Sequence, residues 1–123
     1  MLVHNRFQNV LFSFFLINFL ILGNVALSQE QIKENGYNKL YYDNGAIASE
    51  GFTENGKPNG YWKTFYKNGN IKTAGNRVNF LLDGTWKFYS EEGIIQSEIN
   101  YEKNTKHGIT RKYTENGSLA ALI

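Results

Sequence analysis

From residue 36 onward, short apolar runs rich in tyrosine, phenylalanine and tryptophan alternate with polar segments that contain glycine and asparagine. Residues 62–66 and 86–89 are typical runs, and each ends a few positions before a glycine. Aromatic residues favour strands, whereas glycine and asparagine favour the turns between them. A helix is disfavoured because a glycine in mid-segment costs about 1 kcal/mol relative to alanine, and no apolar stripe follows the helical spacing. The pattern therefore predicts an all-β protein.

The pattern recurs with a period of 24 residues in units that begin at residues 36, 60, 84 and 108. Five columns keep one residue type in all four units: two are glycine (Gly36, Gly60, Gly84, Gly108 and Gly45, Gly69, Gly93, Gly117), one is basic (Lys39, Lys63, Lys87, Arg111), one is aromatic (Tyr41, Phe65, Tyr89, Tyr113) and one is aliphatic (Ile47, Ile71, Ile95, Leu119). Internal repeats of this kind indicate an array of stacked supersecondary units. We predict four β-hairpin units in residues 36–123, the last one incomplete.

The turn inside each unit sets the register of its hairpin. A two-residue turn would place Tyr41 opposite Ala48, whereas a three-residue loop that ends in a glycine bulge would place it opposite Ile47. The third loop, Glu91-Glu92-Gly93, favours the bulge, because only its glycine then needs a positive φ. We predict the three-residue loop in all four units. On backbone conformation alone, Gly69→Val should destabilise the fold more than Gly51→Ala.

The segments between hairpins are predicted to be short connections over residues 53–60, 78–84 and 102–108. Connections of this length make each hairpin antiparallel to the next. The expected architecture is an antiparallel meander of repeated hairpins in a single twisted sheet.

The stretch Asn55-Gly-Lys-Pro-Asn-Gly-Tyr-Trp-Lys63, followed by Tyr66-Lys-Asn-Gly69, resembles the MORN-repeat variant, which is often labelled as the YwqK-like antitoxin family. The resemblance extends over residues 36–123 and rests on the spacing and on the glycine and aromatic columns. It implies a β-repeat that serves as an interaction scaffold. The family label implies an antitoxin that neutralises a partner toxin by binding it.

Residues 1–28 differ in composition from the repeats. Arg6 precedes an apolar run over residues 10–22, and small residues follow at Ala26 and Ser28, where a signal peptidase would recognise them. An uncleaved anchor is the alternative, but a spanning helix needs about 20 apolar residues and this run is shorter. We predict a signal peptide cleaved after Ser28 and a location outside the cell, in the periplasm or in the envelope. Residues 29–35 would then be a short linker.

The net charge and the residue types present argue against several kinds of function. The mature chain from Gln29 would carry 12 of the 13 Lys and Arg and all 11 Asp and Glu, a net charge of +1 without a basic cluster, so no nucleic-acid partner is expected. With no Cys and a single mature histidine, His107, a zinc site or a nucleophilic triad is not expected. We predict a protein that is not an enzyme and needs no metal or cofactor.

Two surfaces are candidates for binding. Tyr42, Trp62, Tyr66 and Trp86 could form an aromatic surface for sugars or peptides, but we expect them to form the core, because a single-layer sheet has few other residues to bury. Leu119, Leu122 and Ile123 belong to an apolar last strand that could pair with a partner or with a second copy. The preferred function is an exported scaffold for protein–protein interaction. The alternatives are an envelope glycan-binding module that uses the aromatic face, and an antitoxin.

Overall fold

The computed structural model of the chain describes residues 31–123, which form a single antiparallel sheet of eight strands. The strands are β1 (Gly36–Tyr41), β2 (Ile47–Glu54), β3 (Lys57–Phe65), β4 (Ile71–Val78), β5 (Leu81–Tyr89), β6 (Ile95–Glu102), β7 (Thr105–Tyr113) and β8 (Leu119–Leu122). Their order in the sheet is their order in the sequence, so the fold is an open meander, as predicted. The predicted signal peptide and its cleavage site lie outside the described residues. Within residues 31–123, no helix is long and apolar enough to span a membrane.

The loop inside each hairpin has the predicted three-residue form. In the first unit the Tyr42 amide donates to the Ala46 carbonyl (2.8 Å), and the Gly45 amide donates to the Tyr42 carbonyl (3.0 Å). The aromatic column accordingly lies opposite the aliphatic column in every unit, in the pairs Tyr41–Ile47, Phe65–Ile71, Tyr89–Ile95 and Tyr113–Leu119. The four loop glycines have φ between 84° and 90°. The predicted register is confirmed.

The connections between hairpins are shorter than predicted. The strands extend into residues 53–60 and their equivalents, and only two residues remain in each turn: Asn55-Gly56, Asn79-Phe80 and Lys103-Asn104. All six have a positive φ, as a hairpin turn of this length requires. Gly60, Gly84 and Gly108 therefore lie within strands and not at their start. The second turn was hidden in the sequence because phenylalanine rarely adopts the φ of 80° found at Phe80.

A row of neighbouring residues crosses the middle of the sheet and includes both tryptophans. It contains Asn38, Gly51, Trp62, Gly75, Trp86, Ile99, Thr110 and Ile123, which occupy neighbouring positions on one face. Trp62 and Trp86 are buried, 9% and 4% exposed respectively. We call this side of the sheet the tryptophan face. The single layer buries Trp62 and Trp86 because Gly51 and Gly75 leave room for the two indoles.

At β1, the residues that precede the strand are hydrogen-bonded to the tryptophan face. Asn38, which takes the place of a tryptophan in β1, accepts a hydrogen bond from the Lys33 amide (2.7 Å) and donates to the Thr53 hydroxyl (2.9 Å). Thr53 in turn donates to the Lys33 carbonyl (2.7 Å). Asn38 and Thr53 are both buried. Part of the segment predicted as a linker is thus bonded to the sheet.

Candidate functional site

The two tryptophans of the predicted aromatic surface are packed against the backbone of the sheet. A Cβ atom at Gly75 would lie 2.3 Å from Cδ2 of Trp86, so the indole occupies the space where another residue would carry its side chain. The indole Nε1 donates to the Asn76 carbonyl (2.9 Å). Trp62 has the same arrangement with Gly51 and the Phe52 carbonyl. Neither indole offers a free face for stacking on a ligand.

Trp86 is covered on its outer side by Arg77. The guanidinium carbon lies 5.2 Å from the centre of the Trp86 ring and 5.7 Å from that of Phe80, and Nη1 donates to the Phe80 carbonyl (2.7 Å). Partial burial of the guanidinium lowers the pKa of Arg77 from its usual value. Arginine stacked on aromatic rings in this way stabilises the core and holds the strained turn at Phe80.

The two tyrosines of the predicted surface connect successive hairpin loops. The Tyr42 hydroxyl donates to the Phe65 carbonyl (2.6 Å), and the Tyr66 hydroxyl donates to the Tyr89 carbonyl (2.7 Å). Lys72 lies over the ring of Tyr66, 5.5 Å from its centre. All four predicted aromatic residues thus make contacts within the fold: Trp62 and Trp86 are buried, whereas Tyr42 and Tyr66 are half-buried.

The basic column lies on the opposite side of the sheet, which we call the charged face. Glu50 pairs across the strands with Lys39 and Lys63, and Glu98 pairs with Lys87 and Arg111. Lys63 Nζ is 3.9 Å from a Glu50 oxygen, and Arg111 Nη1 is 3.7 Å from a Glu98 oxygen. Each glutamate lies between two cations, and each group of three carries a net charge of +1.

Beside the first of these groups, three aromatic side chains are exposed. Tyr37, Phe52 and Tyr61 are 38%, 54% and 53% exposed, and the rings of Tyr37 and Phe52 meet edge to face with centres 4.9 Å apart. Burial and the proximity of Glu50 raise the pKa of Tyr37 above the usual tyrosine value. We call these three residues the aromatic patch. They do not stand out in the sequence, because neither of the two columns that they occupy keeps one residue type in every unit.

A comparison of columns would have found the patch. The position of Phe52 is taken by Asn76 and Asn100 in the next units, and that of Tyr61 by Thr85 and Ile109. The polar replacements bond to one another or to the backbone: Thr85 donates to Asn100 (2.6 Å), which donates to the Ile109 carbonyl (2.8 Å). An aromatic residue at these positions is therefore not required by the fold.

The predicted edge contact consists of exposed apolar side chains. Leu119, Leu122 and Ile123 are 54%, 59% and 74% exposed. Among the described residues β8 pairs only with β7, so its other side is open for a further strand. The edge contact stays a prediction.

The third and fourth hairpin loops enclose a groove of about 520 Å³. It is lined by Ser90, Glu92, Ile94, Gln96, Tyr113, Thr114 and Glu115. In the part of the chain that the structure describes, no three histidine, cysteine or acidic side chains come together as metal ligands. His107 Nδ1 lies 3.4 Å from a Glu102 oxygen at an exposed turn.

Comparison with known proteins identifies the repeat. The family model of the MORN repeat variant matches residues 34–55, 58–79, 82–103 and 106–123. The matched segments begin 24 residues apart, in phase with the units found in the sequence. No curated protein and no solved structure matches the chain.

Proposed function

The chain belongs to the MORN repeat variant family, and we propose that it is an exported, non-enzymatic repeat scaffold that acts by binding another protein. The aromatic patch is the observation that carries this proposal. Tyrosine and other aromatic residues are enriched in the buried centres of protein interfaces, where they supply most of the binding energy. Tyr37, Phe52 and Tyr61 expose such side chains at positions where the other units have asparagine, threonine or isoleucine.

The charges around the patch define the chemistry of the partner. Lys39, Glu50 and Lys63 lie beside it on the charged face with a net charge of +1, and Lys39 is exposed. A complementary partner would place an apolar residue against the three rings and acidic side chains at the rim. Rim charges of this kind govern the rate of association and its salt dependence more than the final affinity.

Glycan binding was proposed for the aromatic surface that contains Trp62 and Trp86. Both indoles are buried against glycines and donate their Nε1 protons to backbone carbonyls. A sugar would need these faces to be open. The protein-binding proposal is therefore preferred, and the antitoxin alternative becomes the special case in which the bound protein is a toxin.

Export is the second element of the proposal and rests on residues 1–28. The order of Arg6, the apolar run and the small residues at Ala26 and Ser28 supports a signal peptide. Intact-mass analysis of the native protein should show a chain that begins at Gln29. A purified mature form that retains the apolar run would contradict export by this route.

The open edge of β8 is the site that we propose for a second contact, made by strand addition. Its backbone groups can pair with an extended strand, while Leu119 and Leu122 supply apolar contacts. Self-association and partner binding are the two forms that this contact can take.

The experiment that tests the proposal uses residues 29–123 as bait for an envelope extract, followed by binding measurements with the purified partner. The test variant is Phe52→Asn/Tyr61→Thr, which introduces the residues found in the same columns of other units. We expect the double variant to keep its thermal stability and to bind at least tenfold more weakly, on the order of what one hot-spot residue contributes. Ile109→Thr, a change in the same column outside the patch, is the matched control.

Equal binding by the wild type and the double variant would contradict the role of the aromatic patch. Displacement of the partner by soluble envelope glycan would favour the glycan-binding alternative. Loss of a toxic activity of the purified partner when the scaffold binds would identify the protein as an antitoxin.

A further inference from the structure

The first three hairpin loops are joined by two kinds of hydrogen bond that repeat with the array. Between the first and second loops, Tyr42 donates to the Phe65 carbonyl (2.6 Å) and Asn44 donates to the Lys67 carbonyl (3.1 Å). Between the second and third loops, Tyr66 donates to the Tyr89 carbonyl (2.7 Å), and Asn68 donates to the Glu91 carbonyl (2.8 Å). The first and second loops thus each provide one phenol and one amide as donors to the next loop.

The third loop lacks both donors. Ser90 occupies the tyrosine column and Glu92 occupies the asparagine column. The Ser90 hydroxyl is too short to reach the fourth loop and accepts a bond from the Ile94 amide of its own loop (3.2 Å). The Glu92 carboxylate has no proton to donate at neutral pH. By the 24-residue repeat, the carbonyls of Tyr113 and Glu115 are the acceptors that these donors would have reached, and no side chain among the described residues bonds to them.

The groove between the third and fourth loops is the space left by this interruption. Glu92 and Glu115 both line it, so its lining includes two negatively charged side chains. No basic side chain is among the lining residues. The charged side chains that line the groove are therefore all negative.

We infer that this groove binds a lysine or arginine side chain presented by the protein partner. The cationic group would donate to the Tyr113 and Glu115 carbonyls in place of the missing phenol and amide, and would lie between the carboxylates of Glu92 and Glu115. Ile94 and Tyr113 provide apolar surface for the methylene stem of such a side chain. Hydrogen bonds between a cation and carboxylates are among the stronger polar contacts of an interface. This inference rests on the proposed function and specifies a second contact of the same scaffold.

The inference is tested by NMR titration of ¹⁵N-labelled residues 29–123 with the tripeptide acetyl-Gly-Arg-Gly-amide. We expect saturable shifts of the amides in residues 90–96 and 113–118, with a dissociation constant on the order of millimolar for a single side chain. Acetyl-Gly-Lys-Gly-amide should shift the same amides, and acetyl-Gly-Gln-Gly-amide should not. Raising the ionic strength should weaken binding, because the groove is exposed to solvent.

Two variants and one control locate the binding to this groove. Ser90→Tyr supplies the missing phenol from within the chain, and Glu92→Asn supplies the missing amide. Each should weaken binding of the arginine peptide by at least tenfold, on the order of one charge-assisted hydrogen bond. Asp43→Asn removes a carboxylate at the position equivalent to Glu115 in the first loop and should leave the affinity unchanged.

Three results would overturn the inference: no saturable shift at high peptide concentration, shifts spread evenly over all four loops, or full binding by Ser90→Tyr. Its failure can be separated from failure of the proposed function by testing Ser90→Tyr against the purified partner. If Ser90→Tyr retains full affinity for the partner while Phe52→Asn/Tyr61→Thr loses it, the groove contact is wrong and the scaffold function stands. Loss of affinity in both variants supports both contacts.

Discussion

The indole of Trp62 lies directly on the backbone of Gly51 across the pair formed by β2 and β3. A Cβ atom added to Gly51 would lie 2.3, 2.5 and 2.6 Å from three atoms of the ring. Trp62 also donates to the Phe52 carbonyl next to this glycine (2.8 Å). We expect Gly51→Ala to lower the free energy of unfolding by about 2–3 kcal/mol, because the indole must move and its hydrogen bond is lost. Chemical denaturation with tryptophan fluorescence measures this loss.

A double-mutant cycle tests whether the contact between Trp62 and Gly51 causes this loss of stability. In the third and fourth units the same pair consists of Ile99 and Thr110, so threonine fits this column when its neighbour has a side chain. In a Trp62→Thr background, Gly51→Ala should cost less than about 0.5 kcal/mol. Losses that add within that margin would mean that the two residues do not interact.

Much of the fold can be predicted from the 24-residue period of the sequence. The 24-residue spacing and the Glu91-Glu92-Gly93 loop were sufficient for the hairpin register, because both depend on local backbone chemistry. The role of Gly51 could not be predicted in this way. It depends on the pairing of β2 with β3, and that pairing is set by a two-residue turn within residues 53–60, where the sequence predicts a longer connection.

The candidate surfaces also depend partly on local sequence and partly on how the strands pair. Trp62 and Trp86 were identified as conspicuous aromatic residues, but whether they are buried depends on the glycines opposite them, which lie in other strands. Phe52 and Tyr61 stand out only when equivalent positions are compared across units.

Substitutions at Gly69 test whether the hairpin loop needs a residue with positive φ, without a change in packing. The φ of Gly69 is 90° and no atom lies within 4 Å of an added Cβ, so a substitution there meets no steric contact. We expect Gly69→Val to cost about 1–3 kcal/mol through strain alone, and Gly69→Asn to cost less because asparagine tolerates a positive φ. Thermal melts of both variants measure the difference. Equal losses of stability in the two variants would contradict the assignment of strain to this loop. Because a side chain at Gly51 would meet the indole of Trp62, we expect Gly51→Ala to cost about as much as Gly69→Val and not less.

Tyr37 gives the aromatic patch a measurable pH response. Burial, with Glu50 as a second cause, raises its pKa above the value of about 10 expected in the unfolded chain. The contribution of Tyr37 to stability is therefore present below that value and is lost as the pH rises through the folded-state pKa. NMR titration of the Tyr37 ring should show a lower pKa in Glu50→Gln. Glu98→Gln, the equivalent change two units later, should leave it unchanged, and a fall in both variants would contradict a local effect.

We predict that the protein self-associates through the open edge of β8 as its concentration rises. Leu122 is 59% exposed on a strand that pairs on one side only among the described residues. We expect light scattering on residues 29–123 to show association that Leu122→Lys reduces, because an edge lysine opposes strand pairing. Ile109→Lys changes an exposed apolar residue on β7 and should have little effect. A monomer at high concentration in all three proteins would contradict self-association through this edge.

Ser90→Tyr should stabilise the sheet in the absence of any partner. A tyrosine at this position would lie as Tyr66 does and donate to the Tyr113 carbonyl, completing the series of bonds that ends at Tyr89. One added hydrogen bond contributes about 0.5–1.5 kcal/mol, and for a domain of this size 1 kcal/mol raises the melting temperature by about 4–8 °C. Ser90→Phe fills the groove without a hydroxyl and should give a smaller increase. Equal increases in the two variants would mean that the gain comes from burial of the ring, and no increase in either would mean that the fourth loop does not present its carbonyl as the earlier loops do.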